Sequence, residues 1–207
     1  SGVWELGFSD FREFYEAWAK AKLTDKGIAS QTNYTVLSGS PQAKCIAIPT
    51  PASLLSPNLN ELIISENSIL IRNERFNVER AIYTDGREHP KNGILSNQGH
   101  SIGRWEEDTL VVDTTLFESH RSPVIGSGVP SGLEKHVTER FTRPSVQGLL
   151  YSVTVNDPLT WTRPWTYEIA MVPNPDQIYE FACHEGNYSM PVILAGALNK
   201  EASERSR

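Results

Sequence analysis

The chain has 207 residues, enough for one domain with its own core. Its 25 acidic and 19 basic residues leave a net charge of -6, with no Lys/Arg cluster, which argues against a nucleic-acid partner because phosphate binding needs a basic face. No apolar run reaches the roughly 18 residues of a membrane-spanning helix, so no membrane partner is expected.

Residues 1–30 are expected to form a helical segment. In SDFREFYEAWAKAKLTDKG the aromatic residues Phe11, Phe14, Tyr15 and Trp18 recur at helical spacing. Asp10 with Glu13 three positions on resembles a capping box, and Gly27 is placed as the stop. The chain opens at Ser1-Gly2-Val3-Trp4 without a leader, which is compatible with one having been removed. Residues 36–61 are rich in Pro, Ser and Asn and read as an irregular segment crossing the surface.

From Leu62 onward the period changes to two. ELIISE, SILIRNERF, ERAIYTDG, SIGRWE, TLVVDTTLF, KHVTERFTR, GLLYSVTVND, TYEIAMV and QIYEFACHE read as strands separated by short turns. Glu118–Gly132 is a longer loop over one barrel end, and Pro191 onward a short C-terminal helix. The expectation is a single all-β domain over 1–207, with the barrel core at 62–190. It is an antiparallel meander barrel of about eight strands, lipocalin-like in fold, with an N-terminal amphipathic helix and a short C-terminal helix; closure removes exposed strand edges.

Alternation then assigns faces. Arg80 sits between Val78 and Ile82, Glu139 between Val137 and Phe141, Glu180 and His184 with Ile178 and Ala182, and Asp113 between Val111 and Thr115. A charge on a buried face needs a partner or loses its charge. Arg80, Glu139, Glu180 and His184 are therefore expected to form an inward polar patch. It reads either as acid/base machinery or as a salt bridge without chemistry, and a bulge would turn the same side chains to solvent.

Of the five histidines, His89 in DGREHPKNG is expected to be exposed on a turn, His100 opens a strand, and His120 begins the long loop, from which a lid residue reaches a pocket. No HxH, HExxH or CxxC spacing occurs, so neither a metal nor a cofactor is expected; three histidines from separate strands would still be free to converge. Cys45 and Cys183 are either two buried thiols or, in an exported protein, one long-range bridge. SIGRWEEDTLVVDTTLF reads as a hairpin turning at Glu106–Thr109, with Arg104 and Asp113 on strands lining the barrel.

The ordered segments SGVW, IYTDGREHP, GHSIGRWEEDTLVVDTTLF, HVTERFTR, VNDPLTWTRPW and YEFACHEGNYSMPVILAGA resemble a large family of uncharacterised bacterial proteins, collinearly from Ser1 to about Ala197. Members carry DGRxHP, GxSxGxWEGDTLVVDT, ERF, DPxxxTxPW and CHEGNY in that order. Here Glu107 stands where the family usually has Gly. The resemblance implies export, and with it a Cys45–Cys183 bridge; it supplies no reaction.

The functional expectation is a small-molecule enzyme using cofactor-free acid/base chemistry in a barrel cavity, of isomerase, cyclase or lyase type, on a largely apolar organic substrate. Glu139 or Glu180 is placed as base, His184 or His100 as acid, and Arg80 or Arg104 as anion stabiliser. Trp105, Trp165, Tyr151 and Phe181 are placed as aromatic walls. The alternative is a lipocalin-like binding protein without turnover, and a homodimer is left open.

Overall fold

The computed structural model describes residues 1–7, 13, 16, 17, 19–35, 45–121, 130–183 and 189–205. Nine of its strands close a barrel: β1 (Gly2–Leu6), β2 (Asn60–Ile64), β3 (Ser68–Asn73), β4 (Val78–Tyr83), β5 (His100–Glu106), β6 (Thr109–Thr115), β9 (His136–Ser145), β10 (Gly148–Asn156) and β11 (Trp165–Pro173). Two short strands, β7 (His120–Arg121) and β8 (Pro130–Ser131), pair outside it within the long loop. Helix α1 spans Asp25–Thr32 and α2 spans Ser189–Arg205.

The expected barrel is present, with three differences in how it closes. Gly2–Leu6 is a strand, where a helix was expected; it pairs with β11 on one side and β2 on the other, and so joins the two ends of the sheet. β4 and β5 are parallel neighbours, so the barrel is mixed and not a pure meander. QIYEFACHE does not form a strand over 177–183; that stretch is irregular and held by side chains, with Asn77 Oδ1 accepting from the Phe181 N–H at 2.9 Å.

The aromatic stripe Phe11–Trp18 and the capping box at Asp10 lie outside the described residues, although Glu13, Glu16, Ala17 and Ala19 are helical. Gly27 lies inside α1 and does not stop it. Thr24 caps this helix, its Oγ1 accepting from the Gly27 N–H at 3.1 Å. A Cβ on Gly27 would come within 2.7 Å of the Thr160 carbonyl, so a glycine is needed for the helix to lie this close to the barrel.

The segment expected on the surface enters the barrel instead and forms a plug. Residues 48–56, IPTPASLLS, are all buried, and Leu54 and Leu55 join the inward-facing strand residues in one core cluster. A buried irregular segment must satisfy its own main chain. This one does so with tight turns: Ser53 N–H donates to Pro49 O at 3.2 Å, and Leu54 N–H to Pro51 O at 3.1 Å. At its end Asn73 Nδ2 donates to the buried Asn60 Oδ1 at 2.7 Å. Burying each of Ile48, Leu54 and Leu55 contributes about 1.5–3 kcal/mol.

Cys45 and Cys183 are bridged across a sequence separation of 138. The bridge fastens the irregular 177–183 stretch to the entrance of the plug. A loop this long restricts the unfolded chain strongly. Replacing both cysteines by serine is expected to lower the unfolding free energy by about 2–5 kcal/mol, read from guanidinium unfolding curves; an unchanged midpoint would show that the bridge does not hold the plug.

Candidate functional site

Two polar clusters form, one inside the barrel and one on its outer face, with β9 contributing to both. The first is inside. Alternation on β4, β9 and β10 turns Arg80, Glu139 and Tyr151 inward, and Glu139 is fully buried. Arg80 Nη2 donates to Glu139 Oε2 at 2.8 Å, and Tyr151 Oη donates to Glu139 Oε1 at 2.8 Å. Arg80 Nη1 donates to Thr50 Oγ1 at 3.0 Å, which itself donates to Gln98 Oε1 at 2.7 Å. Lys135, buried at 3% exposure, donates to the Thr50 carbonyl at 2.9 Å and stands 3.8 Å over the Phe117 ring. Burial and the Glu139 carboxylate push the Tyr151 phenol well above its ordinary value, so it stays a donor.

Both Glu139 oxygens are engaged and its charge is matched by Arg80, which is the arrangement of a structural ion pair rather than of a free base. This cluster pins the plug at Thr50 between Arg80 and Lys135.

The second cluster lies on the outer face and is built by the parallel pair. Parallel neighbours need a connection that returns to the starting end. Residues 84–99 make that return over the outside of the barrel and set His89 above β5 and β6. Asp113 on β6 shares the outer face with His100 on β5 and His136 on β9. His89 Nε2 lies 2.9 Å from Asp113 Oδ1, His136 Nε2 lies 2.5 Å from Asp113 Oδ2, and His89 Nδ1 lies 2.8 Å from His100 Nδ1. A carboxylate accepts, so His89 Nε2 donates to Asp113, and of the facing Nδ1 atoms of His89 and His100 one donates and the other accepts. Burial, together with His89 and Arg87, holds His100 below the ordinary histidine value, so this ring is neutral at neutral pH. Its flank stacks on Tyr83, whose ring in turn lies 3.8 Å beneath the Arg87 guanidinium. Gly99, at φ 69°, brings the chain into β5 where a Cβ would lie 2.6 Å from the Thr115 carbonyl.

His100 lines an open cleft of about 590 Å³ in the barrel wall. The cleft lies where β4 and β5 diverge. Val78–Ala81 form one side, residues 95–101 the other, and Phe76, Ala47 and Glu118 lie around it.

The sequence-derived candidates separate accordingly. Arg80 and Glu139 meet inside, as their alternation indicated, and Tyr151, placed as an aromatic wall, joins them through its hydroxyl. His100 and Asp113 belong to the outer cluster, and Asp113 does not line the barrel interior. Glu180 is exposed and stands on no strand, which removes the facing argument that placed it with Glu139. Arg104 is exposed and pairs with Glu106 at 2.8 Å, so it stabilises no anion in a cavity. Trp105 is 55% exposed at the end of β5. Trp165 packs in the core against Trp161, and Phe181 lies against Phe76, with ring centroids 6.0 and 4.6 Å apart respectively. His184 and the side chain of His120 lie outside the described residues.

The sequence reading missed His89 and His136. His89 was set aside as an exposed turn residue, yet HP in DGREHPKNG is carried back onto the sheet by the crossover. The apolar pattern gave no signal for either, since both lie on the outer face. Among the described residues no group of three or more His, Cys, Asp or Glu has the arrangement of a metal site, and no helix is long and apolar enough to cross a membrane. No protein-family model and no curated protein matches the chain.

Two outcomes follow from the inner cluster. Glu139→Ala leaves Arg80 buried without its counter-charge and is expected to cost about 3–5 kcal/mol in unfolding free energy, whereas a loss well under 1 kcal/mol would contradict the ion-pair assignment. Burial lowers Lys135 to about 7, against the partial upward pull of Asp157 and Glu139. The unfolded chain, with an ordinary lysine, therefore holds a proton that the folded chain releases above about pH 7. Stability should rise with pH from about 7 toward about 10, by at most roughly 1.4 kcal/mol per pH unit. Lys135→Met should flatten this rise in unfolding curves taken across that window.

Proposed function

We propose that the protein is an enzyme that performs cofactor-free acid/base chemistry on a small organic molecule, with His100 in the β4–β5 cleft as the group that moves the proton. The single observation that supports this most is the chain of contacts Asp113–His89–His100, which orients His100 at the side of an open cleft. A general base works best when its neutral form prevails at the working pH, and the lowered His100 value meets that condition. The reaction classes that need only such a group are isomerisation, cyclisation, and elimination or dehydration.

The seat of chemistry thus moves from the barrel interior, which the plug and the core side chains occupy, to the wall. Phe76, Tyr83 and Leu95 supply apolar surface for an organic substrate. Arg80 reaches the cleft with its charge balanced by Glu139, so neutral or cationic substrates suit the site better than anions. The Cys45–Cys183 bridge supports an oxidising, exported location, as the family resemblance implies.

The reading is tested by solvent deuterium exchange into a panel of small carbonyl compounds, followed by NMR. The folded protein should catalyse exchange at an acidic C–H of at least one compound. His100→Gln should reduce the rate by about 10²–10⁴-fold. Asp113→Asn should reduce it and shift the acid limb of its pH profile, because His89 loses the carboxylate that holds it against His100. The limb itself should fall below the ordinary histidine value. Exchange that survives His100→Gln would overturn the assignment, and binding without exchange would leave a ligand site without turnover.

A further inference from the structure

One side of the cleft is an open strand edge. β4 pairs with β5 only at Ile82↔Ser101 and Tyr83↔Ile102, so among the described residues Val78–Ala81 have no strand neighbour on that side. The opposite ladder settles which main-chain groups face the gap. Thr84 N–H donates to Asn67 O at 2.9 Å, continuing the β3–β4 register. In an antiparallel pair every second residue directs both its N–H and its C=O at the partner. Thr84, Ile82, Arg80 and Val78 are those residues. The main-chain groups of Glu79 and Ala81 therefore point away from β3, toward the cleft that both residues line. The parallel bridge at Ile82↔Ser101 engages the Ala81 carbonyl, which leaves the Glu79 N–H, the Glu79 C=O and the Ala81 N–H.

These three groups are spaced for a chain of amides, because a strand reads an edge by pairing at every second residue. The cleft volume of about 590 Å³ is that of a small-ligand site. The open edge of four residues spans about 13 Å at strand rise, which matches a segment of equal length. The charged side chains of this edge are already matched, Arg80 by Glu139 at 2.8 Å and Glu79 by Arg72 at 3.2 Å, so the main-chain groups are what the edge offers a ligand.

We propose that the cleft binds a short, extended peptide segment by strand addition to β4 at Glu79–Ala81. This rests on the reading of the cleft as the functional site and names its substrate class: a peptide bound through its backbone amides, with one residue brought beside His100.

The test uses the full chain and fluorescein-labelled acetyl-Lys-Val-Lys-Val-Lys-amide, followed by fluorescence anisotropy. The probe should bind saturably. Methylating the central backbone nitrogen should weaken binding at least tenfold. Ala81→Pro removes the outward N–H while leaving the β3 ladder intact, a position where an edge strand tolerates proline; it should weaken the unmethylated probe by a similar factor. Should that variant not fold, the methylated peptide still decides. Equal binding of the methylated and unmethylated probes, or no binding of either, overturns strand addition. The deuterium-exchange assay, run separately, distinguishes the two readings. Exchange without peptide binding upholds the acid/base site and overturns this proposal. Peptide binding without exchange upholds strand addition and overturns the enzyme.

Discussion

A carboxylate fully shut away from water persists as a charge only when a cation and hydrogen-bond donors replace its lost hydration. Glu139 obtains both, from Arg80 on β4 and Tyr151 on β10. The neighbouring strands β9 and β10 and the more distant β4 are thereby tied through one group. The same Arg80 binds Thr50, and through Thr50 Oγ1 the network reaches Gln98. Moving the plug, the 84–99 crossover or any one of those strands would leave a buried charge or a buried donor unmatched. The arrangement of the rest of the molecule follows from that requirement.

With the plug held inside, the space a lipocalin-type barrel reserves for a ligand is taken by the chain itself. The described cleft opens in the wall instead, at the place where β4 and β5 meet over only two residue pairs. The crossover that makes those strands parallel also delivers His89 to the outer face, where Asp113 aligns it with His100. One topological feature therefore produces both the opening and the polar cluster beside it, while the inner ion pair keeps the opening's floor in place.

The hairpin at 100–115 was legible because alternation and turn residues agree there. So were the inward faces of Arg80 and Glu139, each flanked by apolar residues at i±2. Asp113 misled for a physical reason. Leu110, Val111 and Val112 are all buried, so β6 is covered on both faces and hydrophobicity does not distinguish them. Phe117 shares parity with Asp113 in the sequence, yet it reaches the core because Leu116, at φ 60°, breaks the alternation between them. Glu180 misled because an alternating stretch was read as a strand, although the chain there is held by the Cys45–Cys183 bridge and by Asn77. The plug was missed because proline-rich, polar sequence usually lies on a surface, and burying it required internal turns together with Arg80 and Lys135.

The sequence by itself determined an all-β barrel, most of its strands, and a charged pair facing inward, since these depend on side-chain period and on local turn chemistry. The parallel pairing of β4 and β5, the burial of residues 48–56, the closing strand at Gly2–Leu6 and the gathering of His89, His100, Asp113 and His136 were decided by the tertiary structure. These involve residues far apart in the chain, brought together by barrel closure and by the need to match buried charge. Neither condition leaves a periodic mark on the sequence.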